Sequence, residues 1–166
     1  MSREIFLKID GLKGESPVDG HQDDIQVLDW KWGTEQTGTA HVGMGGSAGK
    51  VVVKDLVVTK HVDKATPELF KASCNAKVFK EAVLTMRKAS EKPLEYLKIK
   101  MSDVQISKMD IDSKMDIGGN GNEDLLTEYV SLHFAQVEVE YTPQKSDGSG
   151  DAAVTTGWNI KTNKEL

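Results

Sequence analysis

The chain of 166 residues has a single cysteine, Cys74, so it can form no intramolecular disulfide and hold no multi-cysteine metal site. Basic charge is in deficit: 21 Lys and Arg stand against 26 Asp and Glu, a formal net charge of −5. With no surplus of cations to displace counterions from phosphates, nucleic acid is excluded as a partner. No apolar run approaches the roughly 18 residues of a membrane span. The opening MSREIFLKID carries charges where the apolar stretch of a signal peptide belongs, which implies synthesis and folding in a reducing cytoplasm. The length suits one domain, residues 1–166, with a core of its own.

Motifs for catalysis and cofactor binding are also missing. None of the four histidines, His21, His41, His61 and His133, lies two or four residues from another, so zinc-ligand spacing is absent. His21 stands near Asp23 and Asp24 in what reads as a polar turn before a strand. No G-x-S-x-G elbow supports a hydrolase triad. The glycine cluster GMGGSAGK at residues 43–50 looks like a phosphate cradle, but its spacing fails the Walker pattern and Val51 follows the lysine. Gly43, Gly45 and Ala48 fit the letters of a dinucleotide fingerprint. That motif must open a helix, whereas here VVVKDLVV runs into a strand. The stretch GGNGNEDLL at 118–126 resembles one calcium-binding nonapeptide with no second half-site beside it. No catalytic residue, cofactor or metal is therefore expected.

What the chain does contain is short strands. In EIFLKI the residues Ile5, Leu7 and Ile9 share a face; in AVLTM it is Ala82, Leu84 and Met86; in GWNIKT it is Trp158, Ile160 and Thr162. Three longer segments change phase midway. IQVLDWKW passes from Ile25 and Val27 to Leu28, Trp30 and Trp32; LKIKMSDVQI passes from Met101 to Val104; VSLHFAQVEVEY passes from Phe134 to Val137. A phase change marks a bulge or a strand that turns a corner of a barrel, or a strand buried on both faces. One helix is expected in TPELFKASCNAK, with Thr66 as N-cap and Pro67 in the first turn. Its apolar stripe would include Leu69, Phe70, Ala72 and Cys74, which buries the thiol. The reading is a mainly β fold: a small β-barrel, one α-helix packed beside it, and a long projecting loop. SKMDI occurs at 107–111 and again at 113–117, a repeat of period six that preserves strand phase and reads as an extended hairpin or loop.

The segments IFLKIDGLKGES, VLDWKWG, GKVVVKDLVVTKHVDKATPELF, EYLKIKMSDVQIS, LTEYVSLHFAQVEVEYTPQ and GWNIKTNK, in this order along nearly the whole chain, resemble the Hcp family, the tube protein of bacterial type VI secretion. The resemblance implies hexameric rings stacked into a tube, with sheath and tip proteins as partners, small effectors held in the lumen, and release outside the cell by the machine itself. It also implies that the glycine-rich stretch from Gly33 to Lys50, and within it Gly43, Met44, Gly45, Gly46 and Ser47, contacts the next ring. Lys31 stands between the paired tryptophans where many relatives have a small residue, which makes it a lumen-lining candidate. The alternative is a secreted carbohydrate- or calcium-binding β-module that uses the glycine loops as ligand rims.

Overall fold

The computed structural model describes residues 3–38, 50–113 and 125–166. Strands dominate them: β1 (Arg3–Ile9), β2 (Ile25–Gln26), β3 (Asp29–Lys31), β4 (Thr34–Glu35), β5 (Val52–Val53) and β6 (Leu56–His61) precede the helix α1 (Thr66–Asn75). After it come β7 (Phe79–Lys88), β8 (Leu94–Asp112), β9 (Thr127–His133), β10 (Gln136–Tyr141), β11 (Val154–Asn159) and β12 (Lys164–Glu165). The alternation seen in the sequence sets the register. Ile5, Leu7 and Ile9 of β1 lie opposite Met86, Leu84 and Ala82 of β7, and all six are buried.

One sheet runs β12-β11-β10-β8-β7-β1-β2, and a second runs β3-β6-β9-β8. They share β8, whose first half pairs with β7 and β10 and whose second half, from Gln105, pairs with β9. They meet again along residues 25–31. Ile25 and Gln26 pair with β1, and Asp29–Lys31 pair with β6. Between them Val27 N–H donates to the Ile5 carbonyl at 3.0 Å and Leu28 N–H to the Thr59 carbonyl at 2.7 Å. The pairing therefore passes around a barrel-like circuit by way of strands that change sheets.

The three phase changes fall at these corners. Val27 is buried and Leu28 exposed where the chain leaves β2 for β3. In β8, Asp103 takes a left-handed backbone (φ 53°), which returns Val104 to the core after Met101. Phe134 and Ala135 join β9 to β10, and the Ala135 N–H donates to the Ser102 carbonyl at 3.0 Å. Each segment thus keeps its apolar residues inward while its neighbours change. The strand in GWNIKT ends at Asn159: Trp158 and Ile160 are half-buried against the core, but Thr162 lies in an exposed turn.

The helix forms where expected but buries a narrower stripe. Leu69 and Ala72, three residues apart, face the core, whereas Phe70 is 62% exposed and Cys74 is exposed. A ten-residue helix laid against β8 covers only one line of side chains, and Phe70 and Cys74, spaced four apart, form the next line outward. The expectation of a buried thiol is thereby corrected. Thr66 is also not the N-cap. Ala65 takes that place, and the buried Thr66 hydroxyl accepts from Asp63 N–H at 3.0 Å and donates to Glu128 Oε1 at 3.0 Å.

That contact belongs to a buried ionic cluster. Lys60 on β6 and Glu128 on β9, cross-strand partners, have no exposed side-chain surface and form an ion pair. The Lys60 ammonium also donates to Asp63 Oδ1 at 3.0 Å and to the His61 carbonyl at 2.9 Å. Asp63 in turn accepts from Ala65 N–H at 2.9 Å, so the cluster fastens the start of α1 to the second sheet.

Candidate functional site

The tryptophan strand β3 carries Lys31, and the β4–β5 ribbon follows it in the chain. Trp30 and Trp32 flank Lys31 and are half-buried. The Trp30 indole N–H points at Met86 Sδ, 3.0 Å away. The Trp32 N–H donates to the Lys54 carbonyl at 2.9 Å, and its ring lies 6.4 Å from that of Phe134. Strand alternation then turns Lys31 outward, opposite Val57, where it is exposed.

Beyond Trp32, β4 and β5 pair as a two-stranded ribbon with Thr34 opposite Val53. Glu35 and Lys54 form a 2.9 Å ion pair across it, and the Lys54 hydrogen bond and charge hold the Glu35 carboxyl below its usual value. Residues 39–49, with His41, Gly43, Met44, Gly45, Gly46 and Ser47, lie outside the described residues, as do 114–124 with most of the second SKMDI copy. The first copy is strand: residues 108–112 pair with β9 and extend the β8–β9 hairpin, leaving Ile111 exposed.

Of the described histidines, His21 and His133 make side-chain hydrogen bonds to carboxylates. His21, read from the sequence as part of a polar turn, is buried instead. Its Nδ1 lies 2.8 Å from Asp24 Oδ2, its Nε2 lies 2.6 Å from Glu95 Oε1, and its ring stacks on Phe6 at 4.2 Å. Arg87 covers the Phe6 ring at 5.4 Å and is paired with Glu4. The stack pins the connection between β1 and β2 onto the start of β8. Burial alone pushes the Glu95 carboxyl up, but hydrogen bonds and charge from His21 and Lys98 outweigh it and hold the group below its usual value.

His133 Nδ1 lies 2.8 Å from Asp55 Oδ1, and the Ser107 hydroxyl donates to Asp55 Oδ2 at 2.6 Å. The carboxylate, not the imidazole, stands next to the hydroxyl, which is the wrong order for activating a serine nucleophile. His61 is half-buried, and its Nδ1 has no hydrogen-bond partner among the described residues. No group of three His, Cys, Asp or Glu positioned to hold a metal occurs among the described residues.

Two features escaped the sequence reading. Lys60 falls in phase with the buried Leu56 and Val58, and Glu128 with Val130 and Leu132, so each charge on a core-facing position was the available signal. The second is an apolar pocket of about 420 Å³ between the β4–β5 ribbon and the β10–β11 face, lined by Trp32, Val53, Val137, Val139, Thr156 and Trp158 among others. It joins segments more than a hundred residues apart, and no local pattern foretells it.

Known proteins agree with this arrangement over the whole chain. The family described as "Type VI secretion system effector, Hcp" matches residues 6–141. Protein hcp1 of Pseudomonas aeruginosa is 47% identical over 165 residues, 98% of each chain. The crystal structure of Hcp1 from Salmonella typhimurium superposes with a TM-score of 0.80 at 38% identity, covering all of both chains. A structure of a type six secretion system protein gives 0.88 at 27% identity, covering 99% of this chain and 100% of that one. None of these likenesses supports a carbohydrate- or calcium-binding module. A mainly β architecture with one helix, built around sheets that exchange strands, and matched from end to end in sequence, places the chain in the Hcp family of type VI secretion proteins.

Proposed function

We infer that this chain is the structural tube subunit of a type VI secretion machine: a hexameric ring that stacks into a tube and is expelled with the tip complex. The end-to-end likeness to Hcp proteins carries the reading. The distribution of exposed apolar side chains supports it. Val52, Val78, Val154 and Tyr141 are each at least half exposed, a pattern suited to surfaces that meet other copies in a closed ring. The partners are further copies of the chain, the sheath and tip proteins, and small protein effectors carried in the lumen, with Lys31 among the groups lining it. The subunit needs no cofactor and performs no catalysis. It is made in the cytoplasm and leaves the cell through the machine itself.

Stacking falls to the glycine-rich stretch, at Gly43, Met44, Gly45, Gly46 and Ser47. Glycine lets backbone approach backbone closely, and six weak loop contacts on one ring act together. Removing residues 39–47 should leave rings intact and abolish tubes in the electron microscope. Tubes of normal length from the shortened protein would show that another element stacks the rings.

A further inference from the structure

Four strands turn their uncharged sides toward one another at the pocket between Trp32 and Trp158. On the β4–β5 ribbon Thr34 and Val53 face it, and alternation puts the ion-paired Glu35 and Lys54 on the opposite side. On β10 Val137 and Val139 face it while Glu138 and Glu140 point away, and on β11 Thr156 and Trp158 face it. Asp, Glu, Lys and Arg make up 28% of the sequence, yet none lines the pocket among the described residues. Its polar residues Thr34, Gln36, Thr156 and Asn163 are exposed and form the mouth, whereas Val137 is buried.

The volume of about 420 Å³ falls within the roughly 300–1,000 Å³ of small-molecule sites. The two indoles differ in one respect. Trp32 donates its N–H to the Lys54 carbonyl at 2.9 Å, but the Trp158 N–H is buried with no acceptor among the described residues. A buried donor left unpaired forfeits the bond it would make to water, so an occupant that brings an acceptor gains by entering. A charged occupant would lose its hydration with no counter-charge on the walls. A plain hydrocarbon would fill the space and leave the donor unpaired. The walls therefore suit an uncharged molecule with an apolar chain and a carbonyl group.

We propose that the Trp32–Trp158 pocket is a binding site for an uncharged acyl amide or ester, its chain between the indoles and its carbonyl oxygen accepting from Trp158 Nε1. The site is formed within one chain, and ring and tube formation test the tube reading separately.

Isothermal titration calorimetry on the full-length protein in its native assembly, with octanamide as the probe, should show saturable binding at a single site in each chain. Octanoate, equal in length but charged, should bind at least about ten-fold more weakly. Trp158→Phe keeps an aromatic wall and removes the donor, and should weaken octanamide about three- to ten-fold. Thr156→Trp at the exposed mouth should block binding, whereas Thr155→Trp on the opposite face of β11 should not. Circular dichroism checks that each variant folds, and if Trp158→Phe does not, the Thr156 and Thr155 variants decide. No saturable heat with octanamide, equal affinity for octanoate, or unchanged affinity in folded Trp158→Phe or Thr156→Trp would overturn the proposal. A neighbouring copy that closes the pocket in the assembled protein would also give no heat, and overturns it equally.

Discussion

Replacing Lys60 by methionine removes the cation that, among the described residues, pairs with both Glu128 and Asp63. Glu128 has no exposed surface and keeps only the Thr66 hydroxyl on Oε1, while its Oε2 already lacks a partner among the described residues. Stranding a buried charge in this way costs about 3–5 kcal/mol, which lowers the folding constant by roughly two to four powers of ten. The pair itself is worth far less, because both ions were taken out of water to make it. Lys60→Met combined with Glu128→Leu should therefore recover most of the loss, with Asp63 at the margin of the cluster turning toward solvent. Urea titrations followed by tryptophan fluorescence measure both effects, at one chain concentration and in one assembly state. A Lys60→Met variant within about 1 kcal/mol of the parent would refute the argument, since only surface pairs are that cheap to break. A double variant no more stable than the worse single would refute it equally.

Other substitutions probe the helix, the first connection and the acid response. Leu69→Ala should cost about 2–5 kcal/mol by opening a cavity under α1, whereas Phe70→Ala should stay within about 0.5 kcal/mol in the same titration; similar losses at both would restore the broad stripe. Gly14→Ala should lower Tm, because the added Cβ would stand 2.5 Å from the Asp24 backbone oxygen, an overpacking of about 1–3 kcal/mol; an unchanged melting curve would show that the connection yields freely. Glu95→Gln should destabilise most near neutral pH. The folded carboxyl lies below its ordinary 4.5, so its contribution is complete above that value and is lost as pH falls through the folded one. Urea midpoints for parent and variant should converge in acid, and an undiminished gap there would contradict the assignment.

Much of this fold is legible in the sequence because burial imposes period two on strands and a corner must break it. The steps from Val27 to Leu28, from Met101 to Val104 and from Phe134 to Val137 each mark a place where the chain changes sheets. The helix was visible from Pro67 and its flanks, but its orientation was not. A short helix whose next line of side chains is also apolar gives no sign of which line meets the sheet, and Cys74 was misplaced for that reason. His21 was misread because its partner Glu95 is 74 residues away, and contacts of that span leave no local pattern. The candidate site divides in the same way. Lys31 drew attention only through the family resemblance, by its place between Trp30 and Trp32, while the apolar pocket depends on β4, β5, β10 and β11 arriving together. Family membership was legible in whole segments rather than in any catalytic motif, as suits a protein whose work is assembly.

The central claim is that the chain builds a closed six-membered ring, and native mass spectrometry of the purified protein tests it most directly. A dominant complex of six 18.2 kDa chains that persists on dilution is the predicted result. A protein that remains monomeric at every concentration would contradict it.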